Sequence, residues 1–99
     1  MDLVRSASAL GNEKRLLILR WLKDPHRQFP PQVHGDKSRD GICGAFIAEK
    51  LKVTPATASM HLNTLVSAGL LRAKRRGKFT YYLRDEKTIA ALGAQIGKL

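Results

Sequence analysis

The segment from residue 54 to residue 69 constrains the fold most, because it carries both a start and a stop signal for a helix. Thr54 can accept hydrogen bonds from the free amides of a first turn, and Pro55 lacks an amide that would be unpaired there. Gly69 is a natural left-handed stop, since glycine has no Cβ to clash in that conformation. The sequence therefore predicts a helix over residues 55–68.

A shorter helix precedes this one and a hairpin follows it. Apolar residues recur at helical spacing over about two turns between residues 43 and 53. Aromatic and β-branched residues over 79–84 indicate a strand, and Gly77-Lys78 is suited to the tip of a two-stranded ribbon. Helix, tight turn, helix and hairpin is the order of a winged helix-turn-helix. We expect a mainly α fold with a β-hairpin wing.

Further helices are predicted on both sides of this unit. Residues 1–10 carry a thin apolar stripe at helical spacing. Asn12 can cap a second helix that is apolar around most of its surface over residues 16–22, and such a helix is central and buried. Asp85 or Thr88 can cap a last helix. Together these elements predict one winged helix-turn-helix domain over residues 1–99.

The segment over residues 25–42 is predicted to be a long loop before the helix-turn-helix. It contains Pro30-Pro31 and many polar residues, with neither helical nor strand periodicity. Loops of this length in compact domains are usually functional or disordered.

The charge balance indicates a polyanionic partner. The 99 residues include 18 Lys and Arg against 8 Asp and Glu, a formal net charge of +10. Nucleic acid is the commonest such partner, and double-stranded DNA is favoured because the deep, narrow major groove of RNA does not admit a helix. A membrane partner is disfavoured, since no helix combines a wide apolar face with a cationic one and no stretch approaches about 20 apolar residues. We expect a cytoplasmic protein.

The predicted helix over residues 55–68 separates into a packing face and a reading face. At 100° per residue, Ala58, Leu62 and Leu65 fall on one side, which we expect to be buried. The opposite side is small, neutral and able to form hydrogen bonds, and an asparagine such as Asn63 can pair with adenine in the major groove. The predicted base-edge contacts are Ala56, Thr57, Ser59, Met60 and Asn63.

The cations lie beside this reading face rather than on it. Wing cations typically neutralise phosphates and so fix the register of a protein on DNA. The predicted phosphate and wing contacts are Thr54, His61, Arg72, Lys74, Arg75, Arg76 and Lys78. For His61, at the edge of the packing face, helix packing is the alternative.

Three short motifs carry a resemblance to a known family. They are Ser59-Met60-His61-Leu62, the helix ending Ala68-Gly69-Leu70, and Gly77-Lys78 followed by Tyr81-Tyr82. With the apolar pattern of the preceding helices, the sequence is similar to the ArsR/SmtB family of bacterial repressors over nearly the whole chain except residues 25–41.

The resemblance implies a homodimer, built from the first and last helices, that binds an imperfect palindrome and is released by a small effector. The implied interface residues are Leu3, Val4, Ala7, Ile89, Leu92 and Ile96. A heterodimer or a tetramer would bury the last-helix stripe equally well, and the sequence does not distinguish a repressor from an activator.

The effector is not evident from the sequence, and no cofactor or metal is predicted. The resemblance matches Cys43 to the first cysteine of a Cys-x-Cys metal pair, but the second position is Ala45, and one thiolate cannot form a soft-metal site. The last helix lacks the histidine of another family site. Loop residues of metal-ligand type match no standard spacing, so solvated loop side chains are the alternative to a zinc or nickel site. They are His26, His34, Asp36, Asp40 and Cys43.

Three other functions are alternatives to regulated DNA binding. Cys43 at a helix start is a possible sensor thiol, against the plainer interpretation of a buried small apolar residue. Enzymatic activity is not expected, because the chain has no paired carboxylates, phosphate-binding glycine loop or catalytic triad spacing, and Cys43 with His34 is the only formal candidate. A winged helix used for protein interaction, or as an architectural DNA-binding module without an effector, is the main rival.

Overall fold

A computed structural model describes residues 2–32, 36–37 and 39–99 of the chain. Within these ranges it contains six helices and three strands. They are α1 (Leu3–Leu10), α2 (Glu13–Lys23), α3 (Pro25–Gln28), β1 (Ile42–Cys43), α4 (Gly44–Leu51), α5 (Pro55–Ser67), β2 (Leu71–Arg76), β3 (Phe79–Arg84) and α6 (Glu86–Gly97). Apart from α3, which lies in the predicted loop over residues 25–42, the helices and the wing strands follow the order that the sequence predicts.

Helix α5 has the boundaries that its start and stop signals predict, to within one residue. The Oγ1 of Thr54 accepts a hydrogen bond from the Thr57 amide at 3.2 Å. At the other end Gly69 has a φ of +80°. There the amides of Gly69 and Leu70 donate to the carbonyls of Val66 and Leu65, at 2.9 and 3.0 Å. This paired arrangement satisfies two free carbonyls of the last turn and directs the chain into β2.

The core forms where α2 meets α4, α5 and the sheet. Helix α2 is central, as predicted, and buries Ile18, Leu19 and Leu22. Ile47 of α4 and Leu65 of α5 are fully buried in the same cluster. These apolar side chains, removed from water on several sides, set the positions of the helices.

The predicted hairpin is confirmed as β2 and β3, and the unpredicted strand β1 extends it to a three-stranded antiparallel sheet in the order β1-β3-β2. Tyr82 is opposite Ile42 on one side and Ala73 on the other. The two-residue strand β1 escaped the sequence analysis because strand periodicity cannot be read over two residues.

The segment over residues 25–42 is not an irregular loop throughout, because it begins with α3 and ends in β1. The side-chain amide of Gln32 donates from Nε2 to the Gly41 carbonyl and accepts the Cys43 amide at Oε1, both at 2.9 Å. Lys37 Nζ donates to the Phe29 carbonyl at 2.8 Å beyond the end of α3. Gln32 therefore occupies the outer edge of β1, where a fourth strand would lie, and pairs with backbone groups that an edge strand leaves unpaired.

Gly41 is expected to be essential to this sheet edge. It has a φ of +96°, and an added Cβ would lie 2.6 Å from the Tyr82 carbonyl oxygen. Gly41→Ala should lower the free energy of unfolding by about 1–3 kcal/mol, the usual cost of a strained backbone conformation. The contact between the new Cβ and the Tyr82 carbonyl should add to this loss. Gly93→Ala is the matched control, since a Cβ there meets nothing within 4 Å. In the α6 helix this control should raise stability by about 0.5–1 kcal/mol. Urea denaturation measures both, and equal effects would contradict the assignment.

Candidate nucleic-acid interface

Helix α5 presents one polar surface to solvent. Ala58, Leu62 and Leu65 are buried, whereas Met60 and Asn63 are exposed. The other residues proposed from the sequence for base reading are exposed or half-buried: Ala56, Thr57 and Ser59. The division between a buried apolar face and an exposed neutral face therefore agrees with the helical projection of the sequence.

Helix α1 is fixed along the carboxyl-terminal half of α5. The buried hydroxyl of Ser6 donates to the Ala68 carbonyl at 3.2 Å. Val4 and Arg5 of α1 line an open groove of about 740 Å³, together with Met60 and Asn63 of α5. Helix α1, which is expected at the dimer interface, therefore lies directly beside α5, which is expected to enter the major groove of DNA.

His61 is inside the protein, which corrects its placement among the phosphate contacts. It is 5% exposed, and its Nδ1 lies 3.2 Å from the guanidinium of Arg15. Since arginine can only donate, Nδ1 must accept and the neutral ring carries its proton on Nε2. Arg15 Nε also donates to the Ala9 carbonyl at 2.6 Å. Arg15, in α2, therefore connects α1 to His61 of α5. His61 thus has the helix-packing role that the sequence analysis gave as the alternative to a phosphate contact.

The wing divides its cations between two faces of the sheet. Residues opposite each other in antiparallel strands share a face, so Arg75 lies with Thr80, and Arg76 lies with Phe79. Tyr82 is on the same face as Thr80 and is buried in the core cluster with Leu62 and Leu65 of α5. Both residues line a cavity of about 190 Å³ with Ser59 of α5, and Phe79, next to the turn, also reaches this cavity. Arg75 is therefore on the face of the sheet that meets α5, whereas Arg72, Lys74 and Arg76 are on the opposite face.

Arg76 forms an ion pair within the protein. Its position in an exposed basic run had predicted a cation free to contact phosphate. Its Nη2 lies 3.3 Å from Oδ1 of Asp40, whose side chain is 5% exposed. The remaining predicted wing and phosphate contacts, Thr54, Arg72, Lys74, Arg75 and Lys78, are exposed.

Cys43 is a buried residue between the sheet and α4. It immediately precedes α4, and its side chain forms no capping hydrogen bond to that helix. It lines the same cavity of about 190 Å³, between the wing and α5. Cys43 thus lies at a cavity that both elements expected to touch DNA also line.

The described residues contain no group of three or more Cys, His, Asp or Glu side chains that could hold a metal ion. Of the loop residues weighed as ligands, His34 lies outside the described ranges, as do Met1, Val33, Gly35 and Ser38. Asp40 is occupied by Arg76, and Cys43 is in the cavity wall.

The structure divides the expected dimer-interface residues into an outer and an inner set. Val4 is 79% and Ile96 47% exposed, and Ala7 is exposed too. Leu3 and Ile89 are half-buried against the core. Leu92 is only 3% exposed and packs in the core of its own chain, so its assignment to the interface is wrong. The helical spacing of the last helix indicated an apolar stripe but could not show which members its own chain covers.

Arg15, Gln32 and Asp40 position these elements but were not predicted to do so. Arg15 is 46 residues from His61, and Asp40 is 36 residues from Arg76. Local periodicity carries no signal for pairs this far apart in sequence. Arg15 follows Glu13 and Lys14 in the polar first turn of α2, so the local pattern does not single it out.

This arrangement of a helix-turn-helix with a basic β-wing is a winged helix-turn-helix DNA-binding domain. A sequence profile described as "Bacterial regulatory protein, arsR family" matches residues 46–73. YbzH, an uncharacterised HTH-type transcriptional regulator of Bacillus subtilis strain 168, is 48% identical over 92 residues, covering 93% of this chain and 92% of that protein. The chain belongs to the ArsR family of DNA-binding transcriptional regulators, a family of regulators rather than of enzymes.

Solved structures show the same fold. A crystal structure of a possible transcriptional regulatory protein from Mycobacterium bovis has a TM-score of 0.69 at 29% identity, covering 96% of this chain and 86% of that one. A solution structure from the same organism has a TM-score of 0.67 at 28% identity, covering 96% and 74%. The latter is described as the homodimeric winged helix-turn-helix DNA-binding domain of a possible ArsR-family regulator. No helix among the described residues is long and apolar enough to cross a membrane.

The buried His61 should make folding sensitive to mild acid. Burial, and then the charges of Arg15 and Lys14, lower the pKa of His61 below its ordinary value of 6.5. The unfolded chain therefore binds a proton at this histidine more readily than the folded chain does. The contribution of His61 to the free energy of unfolding is fully present above pH 6.5 and is lost as the pH falls through the folded-state pKa. His61→Gln, which keeps an acceptor for Arg15, should flatten this part of the profile.

Thermal denaturation between pH 5 and pH 8 measures this effect. The control is His26→Gln, which removes an exposed histidine on α3 and should leave the profile unchanged. An unaltered acid slope in the His61→Gln protein would show that this ring does not cause it.

Proposed function

We propose that this protein is a sequence-specific operator-binding homodimer that represses transcription and is released by a small effector. The observation that carries the proposal is the neutral, hydrogen-bonding exposed face of α5 beside a cationic wing. A neutral polar helix face suits base edges in the major groove, and neighbouring cations suit phosphates. A surface that binds another protein has no need of both features together.

Within this proposal the exposed residues of α5 read bases and the wing neutralises phosphate. Asn63 and Met60 occupy the centre of the exposed face, with Ser59 and Thr57 nearer the start of the helix. The Thr57 hydroxyl already accepts a hydrogen bond from Thr54 at 3.1 Å, which leaves its own proton available to a base or phosphate. Arg75 and Lys78, on the strand and turn nearest α5, are the strongest candidates for phosphate contacts.

The two classes of contact should fail differently. Asn63→Ala should cost about 1–3 kcal/mol on the preferred operator and little on random DNA. Arg75→Gln should weaken both and reduce the slope of log affinity against log salt by about 0.9 for each lost phosphate contact. Fluorescence anisotropy on both duplexes over a salt series measures these effects. An equal loss on random DNA from Asn63→Ala would refute its role in base reading.

A homodimer is supported by the outer surface of α1 and α6. Val4, Ile96 and Leu99 are exposed apolar side chains on or at the end of these helices, and Leu99 is 92% exposed. Burial of such side chains against a second copy removes apolar surface from water. The relative from Mycobacterium bovis described as a homodimer supports the same assembly.

Ile96→Lys should separate the protomers without unfolding them. Ile96 is half-exposed in the single chain, so a lysine there can reach water in the monomer but not in an apolar interface. Gln95→Lys is the matched control, because it adds the same charge at the neighbouring exposed position. Sedimentation equilibrium should show a weakened dimer for the first variant only. Unchanged association of the Ile96→Lys protein would exclude this surface from the interface.

A dimer with two-fold symmetry should bind a palindrome, because each protomer then contacts an equivalent half-site. Selection from a random duplex pool tests this. Recovery of a palindrome bound about a thousandfold or more above random DNA supports operator recognition. Tight binding at low salt without sequence preference would instead favour an architectural module.

Release by reaction at Cys43 is the form of regulation that we propose, because this residue lines the cavity between α5 and the wing. Any group added to the sulfur would enlarge a residue in a small cavity between these elements. Cys43→Ser should then bind the operator normally but no longer respond to oxidants or electrophiles. A continuing response in that variant would eliminate thiol sensing.

A further inference from the structure

We propose that Asp40 holds Arg76 away from DNA phosphate, so that a residue of the 36–43 segment sets how many wing cations contact the nucleic acid. This inference rests on the proposed function of the wing. The basic run of β2 looks uniform in sequence, yet Asp40 pairs with one member and leaves its neighbour Arg75 to interact with DNA.

The Asp40 carboxylate is held rigidly. Its Oδ2 accepts the Asp36 amide at 2.7 Å, and its own amide donates to the Asp36 carbonyl at 2.7 Å. Two residues later the chain enters β1, whose outer edge is closed by Gln32. The carboxylate is therefore positioned by backbone contacts and presented to Arg76 at the end of β2.

Asp40 is ionised at neutral pH, and its surroundings favour the ionised form further. The hydrogen bond from the Asp36 amide lowers its pKa most, and the charges of Arg76, Arg39 and Lys74 lower it further against the opposing effect of burial. Arg76 is the nearer arginine, at 3.3 Å, whereas Arg39 is 3.6 Å away and 81% exposed. Arg76 is therefore the main counter-charge of a carboxylate that is largely shielded from water.

Withdrawal of Arg76 to a phosphate would leave this shielded carboxylate without its closest cation. A phosphate contact made by Arg76 would therefore be offset by the ion pair that it breaks, whereas a wing cation without a carboxylate partner breaks no such pair when it contacts a phosphate. The exchange is less favourable for Arg76. Arg75 has no such competitor among its described contacts, because its Nε donates only to the Gly77 carbonyl within the turn, at 3.0 Å.

The orientation of the strand supports the same distinction. Arg75 shares a face with Thr80 and Tyr82, and Tyr82 is buried in the core cluster with Leu62 of α5. Arg76 is on the other face, where Asp40 reaches it. When α5 enters a major groove, Arg75 is on the DNA side of the wing and Arg76 is turned toward the 36–43 segment.

The test compares the salt dependence of DNA binding for Arg75→Gln and Arg76→Gln, in the wild-type chain and in Asp40→Asn. Glutamine at position 76 keeps a donor for Asp40, and asparagine at position 40 keeps an acceptor for the Asp36 amide, so both variants preserve the local hydrogen bonds. Glu49→Gln is the control for net charge, since it removes one negative charge from an exposed position on α4. Random-sequence duplex DNA is the probe.

Arg75→Gln should reduce the salt slope by about 0.9 per protomer, whereas Arg76→Gln should leave it unchanged. Asp40→Asn should increase the slope by about 0.9 per protomer, and this gain should disappear in the Asp40→Asn, Arg76→Gln double variant. Glu49→Gln should not increase the slope.

Three results would overturn the inference. They are a loss from Arg76→Gln equal to that from Arg75→Gln, a gain from Asp40→Asn that survives the second substitution, and an equal gain from Glu49→Gln. The comparison of Arg76→Gln with Arg75→Gln replaces only exposed or half-exposed side chains. It therefore tests the inference even if the Asp40→Asn protein fails to fold. Failure of the proposed function looks different, because then Arg75→Gln also leaves DNA binding and its salt slope unchanged.

Discussion

The burial of one face of α5 is the constraint on which the rest of the structure depends. Leu62 and Leu65 have almost no exposed surface, and they fix the rotation of the helix about its own axis. A different rotation would expose these leucines and bury Asn63, with a loss of apolar burial and an unpaired amide inside the core. The exposed reading face is thus a consequence of core packing.

Contacts from outside the helix-turn-helix then fix α5 relative to the amino-terminal helix. Arg15 joins the end of α1 to His61, and Ser6 joins α1 to the end of α5. These are buried or partly buried polar contacts, whose loss would leave unpaired groups inside the protein. A change at the surface of α1 therefore has a short, direct route to the helix that is expected to enter the DNA.

The wing shows how a local charge pattern and a folded charge pattern differ. The run from Arg72 to Lys78 gives the same positive signal at almost every position, and it correctly predicts a cationic hairpin. Pairing with β3 divides these residues between two faces, and Asp40, from a segment without periodicity, neutralises one of them. The sequence states which side chains are cationic. Whether each of them is free to contact a phosphate depends on neighbours that are distant in sequence.

The sequence by itself determined the helices, the hairpin and the apolar and polar faces of α5, because caps, glycine stops and residue spacing act over a few positions. Tertiary structure alone decided that β1 joins the wing and that Gln32 closes its edge. It also decided that His61 and Leu92 are interior residues and that Asp40 pairs with Arg76. Each of these depends on contacts between residues 9 or more positions apart. Local spacing does not decide such contacts, because water, backbone and side-chain groups compete for the same partners until the core has formed.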